Sequence, residues 1–156
     1  MDKQKAAVEW FNSGCNCSQA ILATFGGDYG LSREAAFKLA SGFGGGIGGT
    51  GGVCGALTGA CMVLGLAFGS DVPGDKSAKA EMYRKIRILN EEFKMRAGST
   101  MCRDLLGFDM STPAGQLAAK QPRAFDKCDD FVRIAAEILE EMLQSNASEP
   151  RNGINQ

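Results

Sequence analysis

Six cysteines and no histidine set the chemistry open to this 156-residue chain. The cysteines are Cys15, Cys17, Cys54, Cys61, Cys102 and Cys128. Without imidazole, serine–histidine and cysteine–histidine nucleophile systems, histidine haem ligation and mixed histidine–cysteine zinc sites are excluded within the chain. No two cysteines form a C-x-x-C, so neither a thioredoxin-type motif nor a local zinc ribbon is present. Ferredoxin spacing is absent as well. Any thiol centre must be gathered from distant parts of the chain by its helices.

Those helices are legible from caps and periodicity. Lys3–Asn12 carries Ala7, Val8, Trp10 and Phe11 on one side and ends at Ser13-Gly14. A second helix opens at Asn16, a good N-cap residue, and stops before Gly26-Gly27. Ser32 caps Arg33–Ala40, with Glu34 in the first turn where the dipole favours an anion. Asp75 or Ser77 opens the longest helix, which ends near Ala97 with Gly98 closing it. Its apolar positions Met82, Ile86, Leu89 and Phe93 follow the helical period. Ser99 or Thr100 caps a short helix holding Cys102, Leu105 and Leu106. Gly107–Pro122 reads as loop, with a turn at Gln116–Lys120. The last helix spans Phe125–Gln144, with Phe131, Ile134, Ala135, Ile138 and Met142 inward. No stretch alternates with period two. The expectation is an all-α fold: a compact bundle of about six helices in one domain, residues 1–144, with a polar, disordered tail over 145–156.

The remaining stretch, Ser41–Gly69, is organised differently. A glycine loop delivers Cys54 to an uncharged central helix, Val53–Phe68. Gly55 and Gly59 lie four apart and leave one flank of it nearly bare backbone, which permits a close helix contact, within the chain or in a homodimer.

On these helices Cys17, Cys54, Cys102 and Cys128 each fall at or near a first turn. Unpaired N–H groups and the positive dipole end there favour thiolate. Apolar neighbours at helical spacing (Ile21, Leu57, Leu105, Leu106, Phe131 and Ala135) turn the four inward. The plain alternative is that each is a buried small hydrophobe. Cys61 is seven residues beyond Cys54 on one helix, roughly 10.5 Å along the axis at 1.5 Å per residue. That exceeds the reach of a disulfide or a shared iron, and a core cysteine is expected. Of Cys15 and Cys17, the second belongs to the following helix and is preferred as a ligand.

Several functions are set aside. A net charge of −1, with Arg84, Lys85 and Arg87 interleaved among Glu81, Glu91 and Glu92, reads as a solvated helix face and makes no case for nucleic acid. The first half of the uncharged span Leu39–Ser70 is mostly glycine, and its continuous apolar part, Val53–Phe68, is better read as a buried helix than a membrane span. Gly46–Gly51 matches G-x-G-x-x-G, but a dinucleotide site needs a strand before the loop, and here a helix precedes it. The charged amphipathic N-terminus lacks the pattern of a signal peptide, so a cytoplasmic location with reduced thiols is expected.

The segments Gly14–Gln19, Ser41–Gly46, Cys54–Gly59, Gly98-Ser99 with Cys102–Gly107, and Cys128 together resemble the C-GCAxxG-C-C family of redox-active proteins. The family label puts its glycine before the cysteine, where this chain has Cys54-Gly55-Ala56. The resemblance implies functional cysteines at Cys17, Cys54, Cys102 and Cys128, with Cys15 and Cys61 as additions. A similar domain in split-Soret-type cytochromes implies an iron–sulfur cluster; no haem-binding C-x-x-C-H is present to extend that likeness.

The expected function is therefore electron transfer through a cysteine-ligated iron–sulfur cluster, with [2Fe–2S] considered first, working with a redox partner protein. Cys17, Cys54, Cys102 and Cys128 would be the ligands. Gly44, Gly45, Gly46 and Gly55 would bring backbone close, the loop Gly44–Gly52 offering N–H groups to cluster sulfides. Two alternatives stand beside it. One is a cluster-free thiol–disulfide oxidoreductase with Cys54 as nucleophile and Cys102 or Cys128 resolving. The other is an interaction module with a structural four-cysteine zinc site.

Overall fold

A computed structural model describes residues 1–147 of the chain. Among them are eight α-helices and no strand: α1 (Lys3–Asn12), α2 (Cys17–Phe25), α3 (Arg33–Ala40), α4 (Gly55–Phe68), α5 (Lys76–Ala97), α6 (Cys102–Leu106), α7 (Pro113–Ala119) and α8 (Cys128–Ala147). Short 3-10 turns follow α2 and α3. The all-α expectation holds, with eight helices where about six were expected.

Most boundaries follow the capping logic. Asp2, Asn16, Ser32 and Asp75 each accept a hydrogen bond from a first-turn N–H. At Asn16 the bond is reciprocal, since the Gln19 side chain accepts from the Asn16 N–H at 3.0 Å. Gly98 closes α5 in the left-handed conformation.

The departures have local causes. Val53 is not helical, because it forms an antiparallel bridge with Met101 and pushes the start of α4 to Gly55. Neither Ser99 nor Thr100 caps α6; Met101 takes that position, and Ser99 Oγ accepts from the Met101 N–H instead. The expected loop Gly107–Pro122 contains α7, whose signal was Thr112 as N-cap followed by Pro113, a combination suited to a helix start. The last helix begins at Cys128 rather than Phe125, since left-handed Arg123 (φ 64°) starts a run of turns that reaches Cys128. That helix continues to Ala147, past the expected start of the tail; the rest of the tail lies outside the described residues.

The core forms around α4, whose Ala56, Leu57, Ala60, Val63 and Leu64 are buried. Its bare flank lies on α2: a Cβ at Gly59 would sit 2.9 Å from the Ser18 carbonyl oxygen and 3.0 Å from Ile21 Cβ. The close contact permitted by the glycines is thus made within the chain. Helix α8 supplies Val132, Ala135, Ala136, Ile138 and Leu139, and α5 supplies Leu89 and Phe93. Lys85 continues that α5 stripe and is only 6% exposed, contrary to its expected place on a solvated face. Its ammonium lies 4.4 Å from the Phe68 ring centroid, donates to Asn146 Oδ1 at 2.8 Å and pairs with Glu81 at 3.4 Å. Burial is tolerable because the charge is partnered on every side described. No described helix is long and apolar enough to cross a membrane.

The two faces of α4 make opposite demands on glycine. A methyl at Gly59 meets α2 backbone, where overpacking costs about 1–3 kcal/mol, whereas Gly65 is exposed with nothing near its missing Cβ. Urea denaturation should show Gly59→Ala destabilised by about 1–2 kcal/mol after the gain in helix propensity. Gly65→Ala should be stabilised by up to about 1 kcal/mol.

Candidate metal centre

Four of the six cysteines line one small cavity of about 90 Å³: Cys17, Cys54, Cys102 and Cys128. Cys17, Cys102 and Cys128 are the first residues of α2, α6 and α8, and Cys54 is the N-cap of α4. Four helix starts therefore meet at one point. The rest of the wall is Phe11, Leu105, Leu106, Phe125 and Phe131, with Gly45, Gly55 and Asn16. No charged side chain takes part in it. Cys61 is half-buried on α4 and does not line the cavity, and neither does half-buried Cys15.

Two of the thiols are clamped by backbone. The Cys54 N–H donates to the Thr100 carbonyl at 2.8 Å, and the Cys102 N–H donates to the Gly52 carbonyl at 2.6 Å, on either side of the Val53–Met101 bridge. Side chains alternate across such a pairing, so Cys54 and Cys102 share a face. They are diagonal neighbours two residues apart in register, a separation of about 7–8 Å between Cα atoms in a regular ladder.

The glycine loop closes against this clamp. Residues 45–49 all have φ between 61° and 72°, a left-handed run that includes Ile47 at 67°. Glycine adopts it freely; a β-branched side chain does not, and Ile47 holds it while 46% exposed. The loop cannot relax, because a Cβ at Gly46 would come 2.7 Å from both Cys102 Cβ and the Gly51 carbonyl carbon. Gly44 is seated on the Asn16 side chain, which donates to the carbonyls of Ala40 and Ser41, both at 3.2 Å. Gly55 lies against Cys17 Cβ.

Of the glycines expected to approach a ligand, Gly45 and Gly55 face the cavity, Gly46 supports Cys102 and Gly44 supports Asn16. The loop's N–H groups from Ile47 to Gly52 bond to carbonyls within residues 42–47. The donors expected for cluster sulfides are thus confined to the beginning of the loop. Phe11, Phe125 and Asn16 were missed as wall residues. Their only signal was adjacency to Cys17 and Cys128 or a capping role.

Burial governs the thiols. It pushes Cys54 up to about 11, although the N–H groups of Ala56 and Leu57 face its sulfur and favour thiolate; these contacts are too loose to form a cap. Cys102 rises to about 12, through burial and then the neighbouring Cys54, Cys128 and Asp109. Cys17 is raised well above the ordinary thiol value and Cys128 is lowered below it, each chiefly by the other. The expectation that helix starts would lower all four fails at three: at Cys54 and Cys102 loss of water outweighs the helix start, and at Cys17 the neighbouring Cys128 comes first and burial second. Half-buried Cys61 also rises, to about 11, by burial.

Residues 15–142 match the family described as "Putative redox-active protein (C_GCAxxG_C_C)", and the chain belongs to that family. Neither the curated proteins nor the solved structures match it.

The raised thiols have a measurable linkage. Between the unfolded value near 9 and the folded values of about 11 and 12, the unfolded state releases protons that Cys54 and Cys102 retain. Stability of the metal-free protein should be fully present below pH 9 and fall above it, with a limiting slope of about 1.4 kcal/mol per pH unit per thiol. Urea titrations between pH 8 and 11 check this, and Cys54→Ser should remove one thiol's share of the slope, the raised Cys17, Cys61 and Cys102 keeping the rest.

Proposed function

We propose that this redox-active protein is an electron carrier whose four cysteines, Cys17, Cys54, Cys102 and Cys128, hold an iron–sulfur cluster, [2Fe–2S] being the form first to test. The observation that carries this reading is the single cavity lined by four helix-start thiols and otherwise by apolar side chains, Asn16 and glycine. A donor set of sulfur alone suits iron–sulfur clusters and other thiophilic centres.

Electrostatics supports the same reading. Thiols raised to about 11 and 12 with no cation in the wall are poor nucleophiles at neutral pH, which weakens the cluster-free alternative built on Cys54. The register of Cys54 against Cys102 also places their backbones at or beyond the span of about 4.4–6.8 Å that a disulfide needs. Four ligands crowded in a dry cavity need positive charge to become thiolates, and iron would supply it.

Among the described residues, no group of three or more cysteine, aspartate or glutamate side chains is placed to hold a metal ion.

A bound cluster would supply one-electron chemistry at a potential set by its surroundings. The chain's own part is to fix and dry the site. At the start of α4 the N–H groups of Ala56 and Leu57 face the Cys54 sulfur, and Phe11, Phe125, Leu105 and Leu106 exclude water. Six free thiols, with no disulfide among the described residues, agree with work in the reducing cytoplasm beside a protein redox partner.

Protein made anaerobically with ample iron should be coloured and contain iron and acid-labile sulfide in equal amounts. Serine at Cys17, Cys54, Cys102 or Cys128 should lower the iron content at least about tenfold, in line with loss of a ligand, whereas Cys15→Ser and Cys61→Ser should retain it. Colourless, iron-free wild-type protein from such a preparation would refute the reading.

A further inference from the structure

We propose that Phe11 and Phe125 form a gate through which ferrous iron reaches the four cysteines, and that residues 120–127 are the strap that opens it. Iron as the cargo rests on the cluster reading; the gate itself follows from two cavities that share one wall.

Phe11 and Phe125 line the cysteine cavity of about 90 Å³ and also an outer groove of about 440 Å³. No other described residue belongs to both walls. The thiols lie on one side of the aromatic pair and the groove on the other. Away from the pair the cavity wall runs inward, since Cys54, Cys102, Leu105, Leu106, Cys128 and Phe131 are all buried. Phe125, at 37%, is the one exposed residue of that wall.

The strap is built to yield. Residues 120–127 are all exposed except half-buried Ala124, and of them only Phe125 reaches the cavity. Arg123 is left-handed within it (φ 64°), a conformation that a non-glycine side chain gives up on release. The Phe125 ring rests edge-on against half-buried Phe108, with centroids 6.1 Å apart and planes at 72°. Displacing that ring uncovers the thiols and leaves the buried core around α4 intact, as a local opening does. Phe11 is the fixed half of the gate. It sits on α1, whose Asn12 Nδ2 donates to Asp129 Oδ2 at 3.2 Å and ties α1 to the start of α8.

Charge selects what the groove gathers. Asp126, Asp129 and Asp130 stand in its wall against a single cation, Arg133, so the wall is net negative. Asp126 pairs with Arg123 and Asp130 with Arg133, each at 2.6 Å. Asp129 forms no ion pair among the described residues. A negative groove concentrates cations outside the gate and repels anions.

The test labels wild-type protein prepared without iron with iodoacetamide at mildly alkaline pH, the rate at each cysteine being read by peptide mass mapping. Labelling of Cys17, Cys54, Cys102 and Cys128 should be unchanged by urea up to about 2 M, because a local opening exposes little surface. Phe125→Ala should speed labelling of these four about tenfold and Phe125→Tyr should not, with Cys61, which lines neither cavity, unaffected in both. Iodoacetate should label the four more slowly than iodoacetamide, and Asp129→Asn should speed iodoacetate alone, about twofold. Equal rates in Phe125→Ala and wild type overturn the gate, and so do wild-type rates that rise with urea as unfolding does. If Phe125→Ala speeds Cys61 in parallel, the variant is loosened throughout, and the urea dependence of wild type decides. Asp129→Asn without effect on iodoacetate overturns the groove as the route. With excess sulfide, metal-free Phe125→Ala should take up ferrous iron faster than wild type; equal uptake beside faster labelling overturns iron as the cargo. Wild type that takes up no iron overturns the cargo and the cluster reading together, while the labelling rates still decide the gate.

Discussion

Three backbone hydrogen bonds decide whether this molecule has a site. They run from the Cys54 N–H to Thr100, from the Cys102 N–H to Gly52 and from the Arg103 N–H to Gly51. They join the exit of the glycine loop to the segment entering α6 and set two cysteines on one face of a bridge a single residue pair long. So short a pairing would be marginal alone in water. Here the left-handed loop supports one side and buried Leu105 and Leu106 the other. The glycines are therefore structural before they are functional: their missing side chains are the space into which Gly51, Gly52 and Cys102 pack.

The second constraint is the meeting of four helix starts. At α6 every first-turn N–H has a carbonyl partner, whereas at α4 the N–H groups of Ala56 and Leu57 face the Cys54 sulfur. Burial outweighs those contacts and keeps the thiols of Cys54 and Cys102 neutral, so thiolates there would need a cation among them.

The parts of this fold legible in the sequence were those written in local chemistry. Asn16, Ser32 and Asp75 marked helix starts because a cap acts within three residues, and the helix-start pattern singled out Cys17, Cys54, Cys102 and Cys128 from six. What escaped was non-local. The Val53–Met101 bridge is too short to leave an alternating pattern, so Val53 read as helix. Lys85 read as solvated because nothing in its own helix announces Phe68 and Asn146 around it. The thiols read as activated because a helix start is visible in sequence and the loss of water around it is not. Helix α7 is a different case: Thr112-Pro113 was a usable local signal, outweighed by the glycine and proline around it.

The order of the four cysteines along the chain bears on how the protein is made. Cys17 lies in the second helix and Cys128 opens the eighth, so most of the described chain lies between two walls of one cavity. Closing so long a loop is among the last and entropically costliest steps of folding. A centre of the kind proposed would not seed the early helices in the way a zinc ion organises a finger. The apolar core around α4 would have to stand first on its own packing, with the four thiols already in place before any such centre was added.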